Sequence, residues 1–235
     1  MGFDDAVRMT EILLALAFLQ QGAEHLRGAR DERVLFLLRM IPSIFLLAGW
    51  QTPWACAALV IVSFFILKRF QGPYNGGSDR MGLLILCCLT LTHFMPVPRW
   101  QEYAFGYLAL QLVLSYFIAG AVKVVNADWR SGRALQDVFL FSAYPVSESV
   151  RKWAYRPRIL FVMSWAVMLF ELSFPFALMT QETLVVGLVL AACFHFANAC
   201  LFGLNRFFWV WLAAYPSILW LQQRIFALGG SGGFL

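Results

Sequence analysis

Four places in the chain set ionisable or amide side chains among apolar neighbours. Lys123 follows Tyr116-Phe117-Ile118-Ala119-Gly120-Ala121-Val122 and precedes Asn126-Ala127-Asp128-Trp129. One use for such a lysine is to snorkel, its stem on apolar surface and its ammonium at an interface marked by Trp129. Turned inward, it would instead present an amine away from water that can act as a base. His195 and Asn198, in Phe194-His195-Phe196-Ala197-Asn198, are three residues apart and share one helix face. They can serve as interhelical hydrogen-bonding glue, or line a polar cavity where imidazole accepts or passes a proton. Glu171 lies in Met168-Leu169-Phe170-Glu171-Leu172-Ser173-Phe174-Pro175. Pro175 has no N–H to give the Glu171 carbonyl, which adds local polarity. A Glu171–His195 pair at similar depth is one expectation, and a neutral Glu171 satisfied by backbone is the other. The fourth place is the run from Phe70 to Arg80, with Gly72, Gly76 and Gly77 around Asn75 and ahead of Ser78-Asp79-Arg80. It reads as a capped turn or as backbone N–H groups and Arg80 presented to an anionic headgroup or substrate.

The elements that must hold these residues are set by composition. Of 235 residues, 61% are apolar and 13% charged. Soluble domains carry about 25% charged residues. That deficit excludes a soluble enzyme, a disordered tail and a nucleic-acid-binding domain. Apolar runs at roughly 7–26, 33–50, 53–70, 81–95, 102–125, 157–178, 183–204 and 207–226 predict an all-α, multi-pass transmembrane bundle of eight helices. About 20 apolar residues cross a bilayer core. Seven spans follow instead if the first run, interrupted by Glu11, Gln20, Gln21, Glu24 and His25, lies in the interface. Residues 1–228 read as one bundle and 229–235 as a flexible Gly-rich tail. Acidic Asp4 and Asp5 stand where a cleavable signal has a basic stretch. The five cysteines form neither a CxxC nor a Cys/His ligand spacing, so no disulfide and no metal are expected.

The net charge is +5. On eight spans, thirteen of the eighteen cations, among them Arg80, Arg130, Arg133, Arg156, Arg158 and Arg206, fall on one face. Arg8, Arg99 and Arg224 fall on the other, with Arg39 and Lys123 inside spans. The positive-inside rule assigns the rich face to the cytoplasm.

The Tyr116–Trp129 block, the stretch Leu135 to Ser142 and the Phe194–Pro216 block, with its FHxxNxxLF pattern at Phe194–Phe202, resemble the membrane half of vitamin K-dependent γ-glutamyl carboxylases. These belong to the wider HTTM (horizontally transferred transmembrane) family. The resemblance runs through most of the chain, and Glu171-Leu172-Ser173 matches an acidic-Leu-Ser segment of the carboxylases. It implies a quinone as cofactor and Lys123 as the base that deprotonates its reduced form, with spacing to Ala127-Asp128-Trp129 different by one residue. Where the carboxylases have Trp-Asn-Asn-His-Ser, this chain reads Tyr74-Asn75-Gly76-Gly77-Ser78, a form similar to short bacterial members that include some associated with maturation of secreted peptide toxins. The large extramembrane domain that binds propeptide and glutamate has no counterpart in these 235 residues, so a complete carboxylase is not expected. The resemblance also implies that the cation-rich pole faces the lumen or exterior, opposite to the charge rule.

Two function classes follow. In the first, a bacterial inner-membrane protein binds or acts on a quinone or lipid-like molecule in a polar intramembrane cavity. Lys123 and His195 are then the catalytic candidates, and Glu171, Asn198, Asn75, Arg80, Asp128 and Trp129 the binding candidates. In the second, the chain is a non-enzymatic accessory, scaffold or maturation subunit. The expected partners are the bilayer and, in the second class, another membrane or membrane-associated protein, with no nucleic acid. A transporter fits less well, because no inverted repeat is visible and acidic residues for ion coupling are few.

Overall fold

A computed structural model describes residues 1–69, 76–141 and 148–230. Those residues form α-helices and short 3-10 segments, with no strand among them. The long helices are α1 (Phe3–His25), α2 (Arg30–Ala48), α3 (Thr52–Arg69), α4 (Gly76–Phe94) and α5 (Pro98–Val125). Three short helices follow, α6 (Ala127–Arg130), α7 (Arg133–Phe141) and α8 (Glu148–Arg151), then a 3-10 turn over Lys152–Tyr155. The chain continues through α9 (Pro157–Ser173), a 3-10 extension over Phe174–Met179, α10 (Gln181–Phe202) and α11 (Asn205–Gly230). The fold is all-α as expected. The expected eight helices are corrected to eleven among the described residues, because 127–141 and 148–151 add three short helices between the long ones. There Leu135 and Phe139, four residues apart, give α7 an apolar stripe that is buried although the segment is too polar and broken to read as a span.

Among the described residues, three stretches are long and apolar enough to cross a bilayer: Pro98–Val125, Pro157–Met179 and Gln181–Phe202. Many of their large side chains point outward, including Phe117, Ile118, Val162, Leu169, Val186 and Val189. Apolar surface of that kind is what lipid, rather than water, solvates.

The helix ends follow from particular residues. Gly49 takes φ +74° and Gly203 φ +69°, the left-handed conformation that closes α2 and α10. Thr180 and Thr183 form a reciprocal capping box at the start of α10. Pro175 cannot continue the α-helical ladder of α9, and the chain tightens into a 3-10 turn from Phe174.

The chain divides into two compact units, Met1–Leu110 with Arg206–Leu235, and Gln111–Asn205. In the first, α1, α2 and α4 surround buried charge. Arg39, 1% exposed, lies 3.6 Å from the Phe18 ring centroid and donates to Gln21 Oε1 at 2.6 Å, while Gln21 donates to Asp79 Oδ1 at 3.2 Å. Further along α1, buried Glu11 accepts from Arg8 at 2.7 Å and lies 2.6 Å from His93 Nε2. The same Arg8 donates to the Leu46 and Leu47 carbonyls at the end of α2, so one guanidinium satisfies orphan helix-end acceptors and a buried carboxylate. The second unit packs α7 and the 152–155 turn on α9 through Leu135, Phe139, Ala154, Leu160 and Phe202.

Candidate functional site

Within the second unit, α5 and α9 run antiparallel in close contact. Gly120 makes the approach possible, because a Cβ at that position would stand 2.8 Å from Leu172 N and 3.0 Å from Glu171 Cβ. That close approach brings Lys123 Nζ to 2.7 and 2.6 Å from the two Glu171 carboxylate oxygens. The side chains are 18% and 4% exposed, so this is a bidentate ion pair largely removed from solvent. The Lys123 ammonium also lies 5.2 Å from the centroid of the Trp129 ring.

Trp129 is placed by α6, which folds back on α9. Ser164 donates to the Trp129 carbonyl at 2.5 Å and the Trp165 indole N–H donates to the Arg130 carbonyl at 3.1 Å. Gly132, at φ +81°, lets this turn pass within contact of the Phe161 backbone, where a Cβ would meet atoms at 2.9 Å. Asn126 caps α6 by accepting from Asp128 N–H.

Seven residues before Lys123, on the same face of α5 and about 10.5 Å along its axis, Tyr116 OH lies 2.8 Å from His195 Nε2. Both residues are buried. The Tyr116 ring packs on Phe174 at 4.2 Å and Phe170 at 5.8 Å, and Phe170 lies 5.9 Å from Phe194. Two pairs of proton-carrying groups, amine with carboxylate and phenol with imidazole, therefore occupy one side of α5 with aromatic rings beside them. Each pair can hold a proton on either partner without exposing an unmatched charge, and that is the chemistry available here.

The sequence-derived candidates separate in this structure. Lys123, Glu171 and Trp129 come together, and His195 joins the same face of α5 through Tyr116. Glu171 pairs with Lys123, so neither a Glu171–His195 pair nor a backbone-satisfied Glu171 describes what is found. Asn198 is half-buried on the helix that carries His195, and its side chain makes no hydrogen bond among the described residues. Asp128 is exposed and lies 3.5 Å from Arg133, away from the ion pair. Arg80 is exposed in the first turn of α4, and Asn75 lies outside the described residues. Sequence reasoning missed Tyr116 as a site residue, although i to i+7 spacing from Lys123 was a usable signal. Sequence reasoning likewise did not connect Asp79 with Gln21 or His93 with Glu11.

A sequence model described as the HTTM domain matches residues 90–222, more than half of the chain and all of the second unit. No curated protein and no solved structure matches the chain.

Proposed function

Because the chain belongs to the HTTM domain family, and is thus a membrane protein with helices apolar enough to span, we propose that it is a multi-pass protein of a bacterial inner membrane that binds a quinone- or lipid-like molecule and handles a proton on it. The observation that carries this reading is the bidentate Lys123–Glu171 pair in a nearly solvent-free setting. A quinone, when bound, supplies a hydroxyl in its reduced form that can be deprotonated. The residues present suit such a group: an amine, a phenol and an imidazole on one face of α5, with Phe170, Phe174 and Trp129 to pack a flat ring. Passing its proton to Glu171 leaves Lys123 a neutral amine and Glu171 a neutral acid, which costs less in an apolar interior than separating the ions. Lys123 Nζ would then be the base, its new N–H taking the proton from the broken hydroxyl O–H of a bound reduced quinone, with the protonated Glu171 beside the ammonium. Tyr116 and His195 orient the bound ring from the second polar position.

The test uses purified protein titrated with a short-chain naphthohydroquinone, followed by its ultraviolet difference spectrum. Wild type should show the spectrum of the deprotonated form, and Lys123→Ala should bind without that change. An identical spectral response from Lys123→Ala removes the lysine from the chemistry.

A second reading, a non-enzymatic accessory or maturation subunit, is favoured by the first unit. Its buried Glu11, Arg39 and Asp79 all have polar partners, so paired buried charge in this chain also serves packing alone. Stoichiometric co-purification of a second membrane protein, with full complementation by Lys123→Ala, would select this reading.

A further inference from the structure

The segment from α6 to the start of α9 joins the adjacent ends of two helices that are long and apolar enough to span, α5 ending at Val125 and α9 starting at Pro157. If both cross, as the proposed reading holds, this segment lies at the level of the lipid headgroups. Its described residues, 126–141 and 148–156, are tied together by hydrogen bonds. Arg130 donates to the Val124 carbonyl, Gln136 to the Ala154 carbonyl, and Arg151 to the Leu140 carbonyl. With Leu135, Phe139 and Leu160 packed beneath it, the cap holds its surface residues in fixed positions.

What that surface presents is a net positive charge, with Arg130, Arg133, Arg151, Lys152, Arg156 and Arg158 against Asp128, Asp137 and Glu148. Lys152, Arg156 and Arg158 are exposed and have no ion-pair or hydrogen-bond partner for their side chains among the described residues. Of the three acids in the described part of this segment, Asp128 faces Arg133 and Glu148 faces Arg151, and the exposed Asp137 of α7 is outnumbered by the three unpaired cations. Among the three cations stand Trp153, 44% exposed with its ring stacked beside Phe139, and Tyr155, 76% exposed. Indole and phenol rings next to unpaired cations match the two layers of a headgroup region, with phosphate above and the first methylenes below.

We propose that Lys152, Arg156 and Arg158, with Trp153 and Tyr155, form a binding site for the phosphate of anionic phospholipids. The cap thereby fixes the depth at which α5 and α9 sit, and so the depth of Lys123 and Glu171 below it. Three cations serve one diffuse phosphate layer here, so neutralising each should weaken lipid retention roughly fivefold, the equivalent of about 1 kcal/mol per cation near an anionic surface.

The experiment is native mass spectrometry of the full chain, delipidated in detergent and supplied with an equal mixture of phosphatidylglycerol and phosphatidylcholine. The expected result is preferential retention of phosphatidylglycerol. That preference should be lost in Lys152→Gln/Arg156→Gln/Arg158→Gln, reduced in Trp153→Ala, and kept in a control with Arg27→Gln and Arg30→Gln, exposed cations of the first unit. All substituted cations are on the surface, so folding is preserved, and an unchanged detergent-exclusion profile verifies it. Equal retention of the two lipids by wild type, or equal loss of preference in the control, overturns the proposal. Neither result bears on the naphthohydroquinone response, so failure of this site and failure of the proton chemistry are told apart.

Discussion

Replacing Glu171 with Gln keeps the size of the side chain and removes its charge. In the structure both carboxylate oxygens contact Lys123 Nζ, and the glutamate side chain is 4% exposed. Breaking a buried pair from one side leaves the other charge uncompensated, at a cost of about 3–5 kcal/mol. Lys123, 18% exposed on a flexible stem, can partly reach out to water, which places the expected loss near 3 kcal/mol. For a chain of this size that lowers the unfolding midpoint by about 6–12 °C. Removing both charges should restore much of the loss, since apolar replacement of a buried pair is often neutral. Thermal unfolding of the purified protein, with Glu171→Gln, Lys123→Met and the double substitution, gives the coupling as a double-mutant cycle. If the three variants add independently within about 0.5 kcal/mol, the two side chains do not share a buried interaction, and the proton-sharing argument loses its physical basis.

Three further outcomes follow from the same geometry. Tyr116→Phe removes the hydroxyl 2.8 Å from His195 Nε2 and should destabilise by about 1–3 kcal/mol, read by the same unfolding assay; no change would mean that water takes the place of the phenol. Gly120→Ala puts a Cβ 2.8 Å from Leu172 N and should cost about 1–3 kcal/mol while also weakening the Lys123–Glu171 contact, visible as a smaller coupling in the cycle. Glu11→Gln leaves Arg8 and His93 without their shared anion. Because Arg8 is about one-third exposed and partly solvated, the expected cost is only about 1–2 kcal/mol, and a cost above that of Glu171→Gln would show that exposure of the cationic partner does not set the penalty.

Much of the architecture is legible in the sequence because bilayer-length apolar runs leave few alternatives to helices. The helix class and the approximate positions of the long helices follow from composition, whereas the sequence leaves Lys123 open between snorkelling outward and turning inward. The cap between Val125 and Pro157 is not legible in the same way. Its helices are stabilised by tertiary contacts such as Leu135 and Phe139 on Leu160, and not by a long hydrophobic period. Pairing is the other gap. Glu171 has His195 and Lys123 as reasonable partners on paper, and the choice rests on the approach of α5 to α9 at Gly120, which a single sequence does not show. Tyr116 reads as one more apolar-belt aromatic until α10 brings an imidazole to its hydroxyl. The polar network of Arg39, Gln21 and Asp79 likewise joins residues 18 and 58 positions apart, a distance beyond any local pattern.

The protonation state of Lys123 is where the account is most exposed. The chain has only three lysines, Lys68, Lys123 and Lys152, so lysine labelled with nitrogen-15 at Nζ gives three resonances, and Lys123→Arg identifies one of them. The account predicts that this resonance shifts when a short-chain naphthohydroquinone is added to the wild type, and that Glu171→Gln, which removes the acceptor of the lysine's proton, abolishes the response. A Lys123 resonance that does not respond in the wild type, or that responds equally in Glu171→Gln, would contradict it.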